Sequence, residues 1–306
     1  MSATPTRAAM ASVAAAMLLG ALKGYAAWTT GSVAMLASLA DSLLDLVASL
    51  VTLAGVRIAA QPADANHRFG HGKAEALAAL FQVVLISVSA TFIAVRAVER
   101  FASGELAADP EAGIAVSVAA ILVTLALTAY QARAIAASGS IAIRTDRLHY
   151  QSDLLLNSGV IAALVLESIV GLRGADPVFG IGIALWLLWG AWRAASDAIG
   201  QLMDREWPDE KRRAFVAVAA QMPGFESLHD LRTRTSGSQD FAQFHVHIPG
   251  AMSVAEAHDV VEALEHRLAA EFPETEILIH VDPVGQVDRP GDPLREADEL
   301  GPIKDA

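Results

Sequence analysis

Residues 33–56 form an apolar run long enough to cross a lipid bilayer, and it carries two carboxylates near its middle, Asp41 and Asp45. At about 1.5 Å rise per residue, roughly 20 apolar residues span the hydrocarbon. Asp41 and Asp45 stand four apart, so both lie on one helix face. A charge at bilayer depth costs at least about 2.5 kcal/mol on insertion scales, and two on one face also repel each other. A divalent cation offsets that cost most directly.

A matching pair lies more than a hundred residues later, where His149 and Asp153 open another apolar stretch and again stand four apart. Two helices facing each other would offer three carboxylates and one imidazole, Asp41, Asp45, His149 and Asp153. That donor set suits a tetrahedral borderline ion, Zn²⁺ first, and also Fe²⁺, Mn²⁺, Co²⁺ or Cd²⁺. Calcium and magnesium favour all-oxygen shells, so the imidazole argues against them. The bland alternative is that each polar residue is satisfied by backbone or by a neighbouring hydroxyl. That serves a single intramembrane Asp better than it serves two paired positions on two segments.

The 306 residues are 54% hydrophobic and carry a net charge of −12. Their mean hydropathy is +0.41. Nearly all long apolar runs fall within residues 8–200, and residues 205–306 read as a soluble domain with a tail. The absence of cysteine excludes disulfides and thiolate metal sites. The acidic balance argues against a nucleic-acid-binding surface. Arg7 and Ala14 to Ala16 imitate a signal peptide, but the apolar stretch continues to Trp28 and further spans follow. It is read as a retained first membrane helix.

Six spans can be drawn: Ala8–Trp28, Val33–Ala60, Ala76–Ala97, Ala112–Ala137, His149–Val170 and Val178–Ile199. The stretch from Ser138 to Leu148 is read as a connection, and Pro110 suits the first turn of the fourth span. Lys23 lies inside the first span and must snorkel or pair within the bundle. Basic residues gather on one side, including Arg57, Arg68, Lys73, Arg133 and Arg193. That side should be cytoplasmic, with both termini.

The soluble part alternates helix and strand. Pro208 opens a helix reaching Met222, His229–Thr235 and Phe241–Ile248 read as strands, and Ser253 to Glu256 is a capping box opening a helix to Phe272. Glu276–Val281 is the last strand. The expected fold is an all-α six-helix transmembrane bundle over residues 1–204 and an αββαβ domain over 205–285. Residues 286–306 are rich in Pro, Gly, Asp and Glu and read as a disordered acidic tail.

Two more clusters contain metal-ligating residue types. Asp64, His67 and His71 are spaced as ligands can be, with glycines that let the backbone wrap closely. An exposed loop with two histidines is equally often just solvated. In the soluble domain, His229 and His280 lie at strand ends, and His245 and His247 share one strand face. His258 sits near an apolar helix stripe, and the set ending in His280 and Asp282 favours a metal.

These residues together resemble the cation diffusion facilitators, in particular the bacterial YiiP/FieF-type zinc and iron exporters. The likeness is carried by Gly31-Ser-Val with Asp41-Ser-Leu-Leu-Asp45, by Pro62 through Glu75, and by His149-Tyr-Gln-Ser-Asp153. It extends through His229-Asp-Leu-Arg-Thr-Arg234 to His280-Val-Asp-Pro283. The resemblance implies a homodimer in a bacterial inner membrane, with a metallochaperone-like cytoplasmic domain. It implies a transport site of Asp41, Asp45, His149 and Asp153 and a loop site of Asp64, His67 and His71. It further implies a binuclear site at the dimer interface, made by His229, His245, His258, His280 and a bridging Asp282. Lys73 and Asp204 match a charged pair that holds the subunits together. His247 is an extra imidazole without a counterpart.

The expected activity is proton-coupled export of a divalent metal, because metal and protons compete for the same ligand lone pairs. Metal at the soluble domain would modulate it. A membrane metalloenzyme would need an open metal position and a general base, and no His-Glu-x-x-His occurs. A sensor that binds metal without moving it is the other alternative.

Overall fold

The structure, a computed structural model, describes residues 3–30, 33–103, 114–165, 175–285 and 298–300. It divides into two compact units, Met1–Gly200 and Gln201–Ala306.

The first unit contains helices α1 (Ala3–Thr30), α2 (Val33–Ala59), α3 (Ala74–Ser103), α4 (Ile114–Ser138), α5 (Ile141–Val165) and α6 (Ala175–Leu202). All but α5 are long and apolar enough to cross a membrane. Helix α5 is as long but carries Arg144, Asp146, Arg147, His149 and Asp153, so its hydropathy is lower. It also starts earlier than expected. Residues 141–148 are helical and do not form a connection. Gly139, at φ +66°, ends α4, and the Ser140 hydroxyl accepts from the Ile143 amide, which starts a new helix at once. The polar character of Arg144 to Arg147 disguised that first turn as loop. The expected features at Gly31-Ser32, Pro110 and 166–170 lie outside the described residues.

Helices α1, α2, α4 and α5 pack around one another, and α3 packs on α2 and α5. Helix α6 joins through Leu187 and Ala191 against Ile86 and Ala90 of α3. Small residues set these approaches. A Cβ on Gly55 would lie 2.4 Å from the Ala78 Cβ, so α2 and α3 are in backbone-close contact there. Large apolar side chains such as Phe92, Trp189 and Trp192 face outward, as lipid-facing surface does.

The second unit is α7 (Asp209–Ala219), β1 (Leu228–Ser236), β2 (Gln239–Ile248), α8 (Val254–Glu271) and β3 (Thr275–Pro283). Strand order is β1-β2-β3, with β1/β2 antiparallel and β2/β3 parallel. Gly237, at φ +63°, supplies the positive φ that a two-residue hairpin loop needs. Helix α8 is the crossover a parallel pair requires, opened by the capping box of Ser253 and Glu256. Phe215, Leu228, Leu231, Phe244, Leu264 and Leu268 form the core.

The tail departs from its expected disorder at residues 298–300. Leu300 is buried in that core. The Leu228 amide donates to the Asp298 carboxylate at 3.2 Å, and the Glu299 amide donates to the Leu228 carbonyl at 2.9 Å. One leucine suffices to dock a segment whose average composition is polar. Residues 286–297 and 301–306 lie outside the described residues.

Candidate metal centres

Among the described residues, three groups of His and Asp side chains converge closely enough to hold one ion each, with ligand atoms in each group within 4.8 Å of one another. They are Asp45–His149–Asp153, Asp64–His67–His71 and His229–His245–Asp282.

The first group joins α2 to α5. The period of the helix puts His149 and Asp153 on one stripe of α5, and close packing of α5 on α2 brings Asp45 to them. His149 Nε2 and Asp45 Oδ1 are 2.9 Å apart. Both side chains are buried and Asp153 is half-buried. His149 Nδ1 is buried without a hydrogen-bond partner among the described residues. Asp41 does not join the group, and its side chain is exposed on α2. Four residues advance a helix by a little more than one turn, so sharing a face does not guarantee facing the same neighbour. Lys23 pairs within the bundle, donating to Ser42 Oγ on α2 at 2.7 Å.

The second group occupies the loop between α2 and α3. Asp64 closes an Asx-type turn, with Oδ1 accepting from the amides of His67 at 2.7 Å and Asn66 at 2.8 Å. The His67 amide, then the Asn66 amide, hold its carboxyl below the usual carboxylate range. Its Oδ2 lies 3.5 Å from His71 Nε2, and the His67 and His71 rings are 4.4 Å apart. Gly70, at φ +74°, makes the turn that returns His71 to Asp64.

The third group sits at one end of the sheet. Register places His229 opposite His245 across β1 and β2, and His245 beside His280 across β2 and β3. Asp282 Oδ2 is 2.8 Å from His245 Nδ1 and 3.6 Å from His229 Nε2. His280 lies at the rim, with Nε2 3.4 Å from Asp282 Oδ1, but outside the three-way convergence. His258 is exposed on α8 and is not brought to the others. Two imidazole nitrogens and a carboxylate, partly withdrawn from solvent, are donors that fit a zinc-like ion.

Sequence reasoning passed over Asp230 and Asp146, and singled out His247 only as an extra imidazole without a counterpart. Asp230 adopts φ +51° in the irregularity between His229 and Arg232, which brings Oδ2 to 3.8 Å from His245 Nε2. His247 stacks on His229 at 4.4 Å and its Nδ1 lies 2.6 Å from Ser227 Oγ. Asp146 is fully buried on α5, three residues before His149. Its signal was that spacing, masked by the misplaced start of the helix.

A helical membrane unit joined to a small αββαβ unit, with His/Asp groups in both, is the frame of a membrane protein that handles metal cations. Residues 9–203 match the cation efflux transmembrane domain, and residues 207–284 match the cation efflux protein cytoplasmic domain. The chain is 44% identical over 282 residues to the cation-efflux pump FieF of Pectobacterium atrosepticum, covering 92% of this chain and 94% of that protein. It is 43% identical over 284 residues to the FieF pump of Cronobacter sakazakii, covering 93% and 94%. Among solved structures, CzrB in its zinc form shares 37% identity, covering 28% of this chain and 99% of that one at a TM-score of 0.25. The metal-bound C-terminal domain of CzcD from Thermotoga maritima shares 26% identity, covering 27% and 99% at a TM-score of 0.25. The chain belongs to the cation-efflux family, of the FieF type. It is a multi-pass membrane transporter of that family and not an enzyme.

Proposed function

We propose that this chain exports divalent transition-metal cations from the cytoplasm in exchange for protons, with zinc as the leading substrate. The observation that carries the proposal is the convergence of Asp45, His149 and Asp153 between two helices of the membrane unit. Charged side chains at that depth are expensive unless they have a function. The substrate ion takes the lone pairs that Asp45 and His149 now share at 2.9 Å, and a ligand must be deprotonated to bind it. Loading therefore releases protons, and protonation of the emptied ligands completes the exchange. Asp41, exposed and one turn from Asp45, is the ligand that a small movement of α2 would add.

The basic loops support a cytoplasmic location for the termini and the soluble unit, and the cytoplasmic-domain likeness supports a homodimer. His229, His245 and Asp282 would hold a resident ion there, with His280 at the rim and His258 contributed on dimerisation. An ion bridging subunits would favour one subunit arrangement and so modulate transport. The loop group of Asp64, His67 and His71 would bind a further ion near the membrane surface.

Asp45→Ala or Asp153→Ala in reconstituted vesicles should abolish metal-driven proton release, followed with an internal pH-sensitive dye, while the protein remains folded. Undiminished flux would contradict the site assignment. Asp282→Ala separates the soluble-domain readings. Loss of metal-dependent activation supports regulation, and loss of the dimer at every metal level supports a structural ion.

A further inference from the structure

Asp146 is a fully buried carboxylate that the transport reading leaves unused. It lies three residues before His149 on the same stripe of α5, about 4.5 Å along the axis, toward the α4–α5 turn. Its carboxylate oxygens accept from three side chains. Oδ2 accepts from Ser12 Oγ of α1 at 2.6 Å and from Gln131 Nε2 of α4 at 2.8 Å. Oδ1 accepts from Gln82 Nε2 of α3 at 3.0 Å, and the same nitrogen lies 2.9 Å from Thr52 Oγ1 of α2. Four helices therefore meet at one carboxylate, and α2 joins through Gln82. Ser12, Gln82 and Gln131 are themselves fully buried. The carbonyl oxygens of both glutamines have no hydrogen-bond partner among the described residues. Both amides thus forgo a bond at one end to aim N–H groups at Asp146, which is costly unless the carboxylate matters.

Exposure differs between the two directions along α5. Toward the α4–α5 turn, Asp146 and Ala142 are fully buried. In the other direction Asp153 is half-buried, and Asp41 on α2 is exposed. Around His149 these acidic side chains are therefore better covered toward the α4–α5 end than toward the opposite one.

We propose that Asp146 is a positioning residue, an acceptor hub whose bonds to α1, α3 and α4 hold α5 in place and close the His149 cluster off from the α4–α5 end. An ion entering from that end must wait for these bonds to break, and packed interfaces of this kind switch between discrete arrangements. The proposal rests on reading Asp45, His149 and Asp153 as the transport site.

Because the chain has no cysteine, one introduced thiol reports closure without background. Ser152→Cys serves, since Ser152 is buried one turn beyond His149. In oriented proteoliposomes a membrane-impermeant maleimide should label it slowly from the α4–α5 face. Asp146→Asn turns an N–H toward donors that need an acceptor. It should speed labelling from that face roughly tenfold, the factor carried by one charge-assisted bond, and leave labelling from the opposite face unchanged. Adding Gln131→Glu returns a carboxylate to the same pair of helices and should restore slow labelling. Ser12→Ala, a milder change that keeps the fold, should give a smaller rise. Unchanged labelling in both Asp146→Asn and Ser12→Ala would overturn the proposal. So would an equal rise from both faces, or no rescue by Gln131→Glu. The thiol reports closure without any flux, so failure of the transport reading would show in Asp45→Ala vesicles and not in this assay.

Discussion

Truncating Leu300 to Ala should release the C-terminal segment and should not unfold the domain it docks on. The Leu300 side chain is 1% exposed, beside Phe215 and Leu228 in the soluble core. A leucine in such a place is worth about 2–5 kcal/mol against alanine. The two backbone bonds at Leu228 and the Arg212–Glu299 pair at 2.7 Å add about 1 kcal/mol each. Against them stand about 1–2 kcal/mol for each of three ordered residues. The two sides agree to within a few kcal/mol, so the docked segment is held by a narrow margin. Leu300→Ala removes more than that margin. The loss of domain stability must then stop at the docking free energy, the same value that deleting residues 286–306 would give. Thermal or urea unfolding of the two variants should coincide, and hydrogen exchange at the Leu228 amide should rise equally in both. If Leu300→Ala were less stable than the deletion by more than about 1 kcal/mol, Leu300 would be part of the domain proper and the reasoning would fail.

Gly55→Ala would force the Ala78 contact from 2.4 Å to the ordinary 3.4 Å or more, parting α2 from α3. It should cost about 1–3 kcal/mol of thermal stability in detergent, and Ala78→Gly should recover most of the loss. The depressed pKa of Asp64 sets the sign of a pH effect: its hold on the loop is complete above the ordinary carboxylate range and is lost only as pH falls below it. Exchange at the His67 and Asn66 amides should therefore stay slow at about pH 4, where ordinary carboxylates are half protonated, and be fast in Asp64→Ala at any pH. His247→Ala removes the ring stacked on His229, and should weaken zinc binding by the soluble unit about 10-fold while leaving its melting temperature without metal within a few degrees. Zinc affinity equal to that of the parent would show that the stacked ring does not position His229.

What the sequence disclosed followed the reach of each periodicity. Charges four apart in apolar runs pointed to α2 and α5, because lipid makes intramembrane carboxylates conspicuous. Alternation and turn residues disclosed β1 and β2 to within two residues at either end. What stayed hidden depended on tertiary contact. The apolar stripe read on α8 holds at Val261, Leu264 and Leu268, which pack in the core, but His258 near it is exposed, because nearness to a stripe does not set which way a neighbouring side chain faces. Leu300 was lost in the average composition of the tail. The start of α5 was lost because Arg144, Asp146 and Arg147 look like a loop until three other helices supply Asp146 with donors.

Asp45 and Asp146 show why a list of buried acids does not by itself identify a transport site. Both are carboxylates in the same bundle, on facing helices, close to one imidazole. They differ in what surrounds them. Asp45 shares a hydrogen bond with a ring nitrogen that can itself ligate a metal, so an arriving ion replaces one contact with two. Asp146 accepts from a hydroxyl and two amide nitrogens, and the nitrogens have no lone pair to offer a cation. An ion there would have to turn both glutamines around and leave their N–H groups buried without acceptors. The partners of Asp45 favour exchange and the partners of Asp146 favour a fixed contact, which is the difference that the proposed transport site and the proposed seal beside it require.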